Sequence, residues 1–181
     1  MLAVDSTESR IPITPPEQAG PRIVATFFVE FIPGVENEYE LLKKACAGPP
    51  KIGLPDLQME TLIFGLHCLD RAVFVIWGAD YRNAFMDYAL AFAEEAFAAV
   101  LPEHIKEHFL EHLRDRYNMR QAEHAAMAPL PEKDASPKGT LFWEYAKYIC
   151  LEAGADPVVL PTFLKEASAI FTMMNKIAQT L

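Results

Sequence analysis

The sequence has only three cysteines, Cys46, Cys68 and Cys150, far apart and with no CxxC spacing. An odd, dispersed set excludes a disulfide framework, a zinc knuckle and a thioredoxin-like redox pair. Glycine is scarce, 8 in 181 residues, and no glycine-rich loop or βαβ alternation appears, so neither a P-loop nor a dinucleotide fingerprint is available. Positive charge is in deficit: 16 Lys and Arg face 25 Asp and Glu, a formal net charge of −9. Such a surface repels phosphate backbones and anionic headgroups. The small basic groups Lys43–Lys44 and Arg114, Arg116, Arg120 lie among acids. Neither nucleic acid nor a membrane is expected as a partner.

No long apolar run is uninterrupted. The most apolar window, 62–79, contains His67, Asp70 and Arg71. Asp or Arg at mid-membrane costs about 2.5–3.5 kcal/mol on insertion scales, so a buried core helix explains the window better than a span. The first residues carry Asp5, Glu8 and Arg10 and then prolines, unlike a signal peptide. Together with the free thiols this predicts a cytoplasmic protein.

Apolar residues make up 51% of the chain and aromatics 11%, enough for one packed core at this length. Residues 1–21, with prolines at 12, 15, 16 and 21, read as an extended, mobile arm, and 22–181 as the helical domain. Residues 22–32 suit either a helix or a strand. Arg22, Thr26 and Glu30 recur every fourth residue, which favours the helix. A short helix is expected at 36–47, and Asp56 is a candidate N-cap for a long helix over 57–77. Gly78 breaks that helix. A second, alanine-rich one follows at 80–101, and a third begins at Pro102 and runs to about 127. Two further helices are expected at 137–153 and 161–179, the first closed by Gly154. The fold predicted is an all-α, single-domain bundle of five to seven helices. Three consecutive long antiparallel helices, about 57–77, 80–101 and 103–127, form its centre.

Two polar constellations are candidates for chemistry. His67, Asp70 and Arg71 are the only polar side chains between Leu62 and Trp77. If the chain folds back at Gly78, positions 87–94 come opposite 63–70, and Asp87 and Glu94 become neighbours of His67 and Arg71. That predicts a polar cluster of His67, Asp70, Arg71, Asp87 and Glu94, with an Arg71–Asp87 ion pair and an acid beside His67 for a metal. Di-metal bundles use a Glu-x-x-His repeat on paired helices, which is absent here. The structural alternative is a narrow solvent-facing stripe, or a buried salt bridge that sets how two helices pack.

The second constellation is His104, His108 and His112, spaced at i, i+4 and i+8. A histidine pair at i, i+4 can chelate a transition metal from one helix face. The apolar side of that helix is Ile105, Phe109, Leu113 and Tyr117, so these histidines are expected in solvent beside Glu and Asp. The zincin pattern His-Glu-x-x-His is absent, as is any nucleophile elbow around the serines.

These residues favour a non-catalytic helical protein that binds or scaffolds. It would act through self-association, most simply as a homodimer, or through a protein partner, and needs no cofactor. The alternatives are a metal-dependent bundle with a divalent transition metal near His67, and a carrier of a small apolar ligand among the many Phe and Met side chains.

Overall fold

Pro16 fits the first turn of a helix, and Ala19, Ile23, Val24 and Phe27 behind it recur at helical spacing and are buried. They make the segment α1, Pro16–Glu30, in a chain that the computed structural model describes for residues 14–101, 103–124, 127 and 138–181. Of Val100, Ile105, His108 and His124 only the backbone is described. The other helices are α2 (Val35–Ala45), α3 (Leu54–Val100), α4 (Glu103–His124), α5 (Leu141–Ala153) and α6 (Leu160–Ala178). Turns of 3-10 helix lie at Ile32–Gly34 and Pro157–Val159. Among the described residues there is no β-strand, only an isolated bridge between Cys46 and Ala155. The fold is all-α.

The segment 22–32 is therefore helical up to Glu30, with Arg22 and Glu30 exposed on the stripe their spacing indicates. Residues 16–21, expected as extended arm, are helix as well. Pro21 inside a helix costs about 3 kcal/mol, and the burial of α1 against α3 outweighs it. Residues 1–13 of the expected arm lie outside the described residues. The N-cap of α3 is Gly53 rather than Asp56. Pro55 fits the first turn, and the Asp56 carboxylate reaches back to accept from the Gly53 N–H at 3.1 Å. At the other end of the chain Thr140 caps α5 and Gly154, left-handed at φ 70°, closes it. Pro102, expected to open the third long helix, lies outside the described residues.

Although α3 is hydrogen-bonded as one helix, Gly78 has φ 81° and ψ 177° and breaks it into two arms. Side-chain contacts show how sharply. Glu60 pairs with Arg116, and Glu94 pairs with Arg114. In a straight helix residues 60 and 94 would be about 51 Å apart. Both instead touch one turn of α4, so the arms fold back on each other at an elbow. Phe97 stacks on Phe109, and Asp70 meets Gln121, so α4 runs antiparallel to the second arm and parallel to the first.

The first arm is the centre of the molecule, with every residue from Met59 to Asp70 buried. By length and composition α3 could cross a membrane, yet 61% of its most apolar window is buried inside the protein. α1 lies along the second arm so closely that a Cβ on Gly20 would come within 2.9 Å of the Ala89 backbone nitrogen. Small residues at that crossing let the backbones approach. The ends of the chain are fastened near the elbow: Trp77 Nε1 donates to the Ala178 carbonyl at 2.8 Å, and Tyr81 donates to the Thr14 carbonyl at 2.7 Å.

The Gly78 conformation lies in a region that is essentially glycine-only. A Cβ there would meet nothing within 4 Å, so the cost of a side chain is backbone strain alone. Gly78→Ala is expected to lower unfolding stability by about 1–3 kcal/mol in urea titration. An unchanged midpoint would mean that the elbow does not need this backbone conformation.

Candidate functional site

Because the first arm is enclosed, its polar side chains must be answered from α4 or the second arm. They form a seam. Glu60, 5% exposed at its side chain, pairs with Arg116 at 3.1 Å and Arg120 at 3.5 Å. The Arg120 guanidinium also lies 3.7 Å from the Tyr148 ring centroid. Burial raises the Glu60 carboxyl above its usual range, and the two arginines only partly oppose this. Further along, His67 stacks on Tyr117 with ring centroids 4.8 Å apart. Asp70 then receives a bidentate pair from Arg82, with Nη2–Oδ2 at 2.8 Å and Nε facing Oδ1, and a third bond from Gln121 at 3.1 Å. Arg71 donates to the Met127 carbonyl.

The expected cluster is thus assembled differently. His67 and Asp70 are buried. The ion pair, however, joins Asp70 to Arg82 rather than Arg71 to Asp87. Arg82 is five residues nearer the elbow than Asp87, and its long side chain spans the narrow part of the hairpin. Asp87 is exposed, and Glu94 is engaged by Arg114 at 2.9 and 3.1 Å, away from His67. The trio Arg114, Arg116 and Arg120, which looked like a small basic patch, is occupied by Glu94 and Glu60.

His104 and His112 are exposed, while the side chain of His108 lies outside the described residues. Among the described residues, no group of three or more His, Cys, Asp or Glu side chains is arranged to hold a metal ion. Cys68 and Cys150 are buried, and burial raises both thiols, Cys150 to about 11, which leaves them unreactive as thiolates near neutral pH.

Two pockets open beside the Asp70–Arg82 pair. One, about 290 Å³, is lined by His67, Asp70, Arg71, Phe74, Arg82 and Gln121, among others. The other, about 240 Å³, is lined by Arg82, Asp87, Tyr117 and Asn118 among others. Arg82, Asn83 and Gln121 belong to both, so the pockets adjoin as one cleft between the second arm of α3 and α4. Tyr117 is only 3% exposed, and its hydroxyl has no hydrogen-bond partner among the described residues. Leaving a buried hydroxyl unpaired costs about 1–3 kcal/mol. On the far side of His67, a space of about 10 Å³ among Glu60, Arg120, Tyr145 and Tyr148 has the size of one water.

Comparison with family models, curated proteins and solved structures finds no match.

A further polar group, which the helical pattern did not reveal, lies behind the first arm. Tyr145 is fully buried and its hydroxyl lies 3.0 Å from that of Thr61. Glu38 of α2 and Glu166 of α6 approach the same region, and burial together with the neighbouring Glu38 pushes the Glu166 carboxyl up to about 9. Glu38 is raised as well, by burial. Two carboxyls so placed share a proton rather than ionise together.

Two predictions follow from these groups. Glu60→Ala removes the buried carboxylate that Arg116 and Arg120 share, leaves Arg120 to the exposed Glu123, and is expected to cost about 1–3 kcal/mol. Replacing Glu60, Arg116 and Arg120 together by apolar residues should cost much less, a contrast that urea titration of both variants checks. For Glu166, the folded protein keeps a proton between pH 4.5 and about 9 that the unfolded chain has released. Stability from this group is therefore fully present below pH 4.5 and declines as pH rises to about 9. In Glu166→Gln that decline disappears. Melting followed at pH 5, 7 and 9 should show a gap in favour of the variant that widens with pH, about 2–4 °C for each kcal/mol. A gap that is constant or reversed would rule out the shared proton.

Proposed function

We propose that this chain is a non-catalytic binding protein whose ligand occupies the cleft between the second arm of α3 and α4. The observation that carries the reading is Arg82, held by Asp70 and turned with its remaining N–H groups into a cleft in whose wall the Tyr117 hydroxyl is buried with no partner among the described residues. Buried polar groups are normally satisfied within the fold, and convergence of such a group with others in a concave site is the usual mark of a ligand position. The Asp70–Arg82–Gln121 bonds support it further, because they hold the wall in one arrangement before anything binds.

This proposal keeps the non-enzymatic character expected from the sequence and moves its centre from a subunit interface to a cleft. The large exposed apolar side chains include Val29, Tyr88, Met119 and Leu151, which stand on α1, α3, α4 and α5. Exposed apolar residues distributed in this way are ordinary for a protein surface.

A fragment screen by NMR on ¹⁵N-labelled protein tests the reading. Binders are expected to move the side-chain signals of Arg82, Asn83 and Gln121 and the backbone signals around Tyr117. A diverse set in which no fragment perturbs these four residues would overturn it.

A further inference from the structure

The cleft has a chemical bias that the whole chain lacks. Arg82 carries five N–H groups, and its bonds to Asp70 and Asn83 take three of them. Because the Asn83 Oδ1 accepts from Arg82 at 2.9 Å, the Asn83 amide presents its NH₂ group to other partners. The Tyr117 hydroxyl, buried in the wall of the adjoining pocket, has no acceptor among the described residues. Asp70, the acid of the larger pocket, already accepts from Arg82 on both oxygens and from Gln121. Arg71 adds a second guanidinium to that wall, and Asp87 stands in the adjoining pocket. On a chain of net charge −9, the larger pocket is therefore positive and rich in donors.

Its remaining wall is apolar. Phe74 lines the same pocket with 54% of its surface exposed, alongside Ala79. A face of this kind beside converging donors suits a ligand with a charged end and a flat or aliphatic body. The volume, about 290 Å³, keeps the ligand small.

We infer that the cleft takes a small organic anion, its carboxylate or phosphate oxygens held by Arg82 and Asn83 and its apolar body lying against Phe74. This rests on the reading of the cleft as a ligand site and adds the class of ligand. Arginine binds both kinds of oxyanion through parallel N–H bonds, so the recognition is common to the two.

Calorimetric and NMR titrations of the full chain with phenylacetate, phenylacetamide, phenethylamine, phenyl phosphate and inorganic phosphate test it. Phenylacetate or phenyl phosphate is expected to bind at least tenfold tighter than phenylacetamide, with phenethylamine weaker still, and to weaken as salt is raised. Which of the two anions binds better identifies the head group. Asn83 is exposed, so Asn83→Asp should leave the fold intact, and the added negative charge should weaken the anion about tenfold or more. Equal binding of phenylacetamide or phenethylamine would overturn the anion class and leave the cleft as a ligand site. Inorganic phosphate binding as tightly as phenyl phosphate would overturn the apolar body. Should no compound of any charge shift the cleft signals, the inference and the reading beneath it both fail.

Discussion

Between Met59 and Asp70 α3 touches protein on every face, and each polar side chain in that stretch has to be answered from inside the bundle. An unanswered carboxylate there would cost far more than any single apolar contact gains. Glu60 and Asp70 are the two acids of the stretch, 10 positions apart on one helix, and each draws in arginine. The first brings Arg116 and Arg120 from α4, and the second brings Arg82 across the elbow. The position of α4 and the closure of the α3 hairpin both follow from satisfying these two carboxylates.

That dependence explains why α4 sits where it does despite its polarity. Its buried apolar side chains, among the described residues, are Phe109, Leu113 and Tyr117 at i, i+4 and i+8. Burial of Phe109 and Leu113 contributes about 2 kcal/mol each, too little to choose one groove over another of similar width. The arginines at 114, 116 and 120 set the choice, since a shift of one turn would strand Glu60. Burial raises the Glu60 carboxyl despite its two partners, so the pairing contributes position more than net stability. The seam specifies a register.

The helices, their order and the break at Gly78 were legible in the sequence because apolar spacing and glycine act locally. Proline misled at the other end of the chain. Pro16 and Pro21 suggested an extended arm, and the burial of Ala19, Ile23 and Phe27 overrode that local preference. That His67 and Asp70 stand apart in an apolar run was legible, though the run left burial and a narrow wet stripe both open. The identity of Asp70's partner was not. Hairpin register alone puts Asp87 and Glu94 opposite, but side-chain reach near a sharp elbow favours Arg82, and periodicity carries no information about reach. Glu38 and Glu166 were invisible for a different reason. They lie on helices separated by more than 100 residues, and each resembles an ordinary wet position in its own helix.

The elbow also creates the cleft. Two arms that fold back at one glycine leave a gap between them and α4, which the two pockets fill. Arg82 stands at that gap with part of its guanidinium committed to Asp70 and part exposed to the two pockets. An arginine held rigidly on one side and open on the other has the geometry of a binding group that is oriented in advance. The Tyr117 hydroxyl, buried in the same wall, has no partner among the described residues. The first arm of α3 therefore determines both features at once: its buried acid fixes the arginine, and the hairpin it requires leaves the space that the arginine faces.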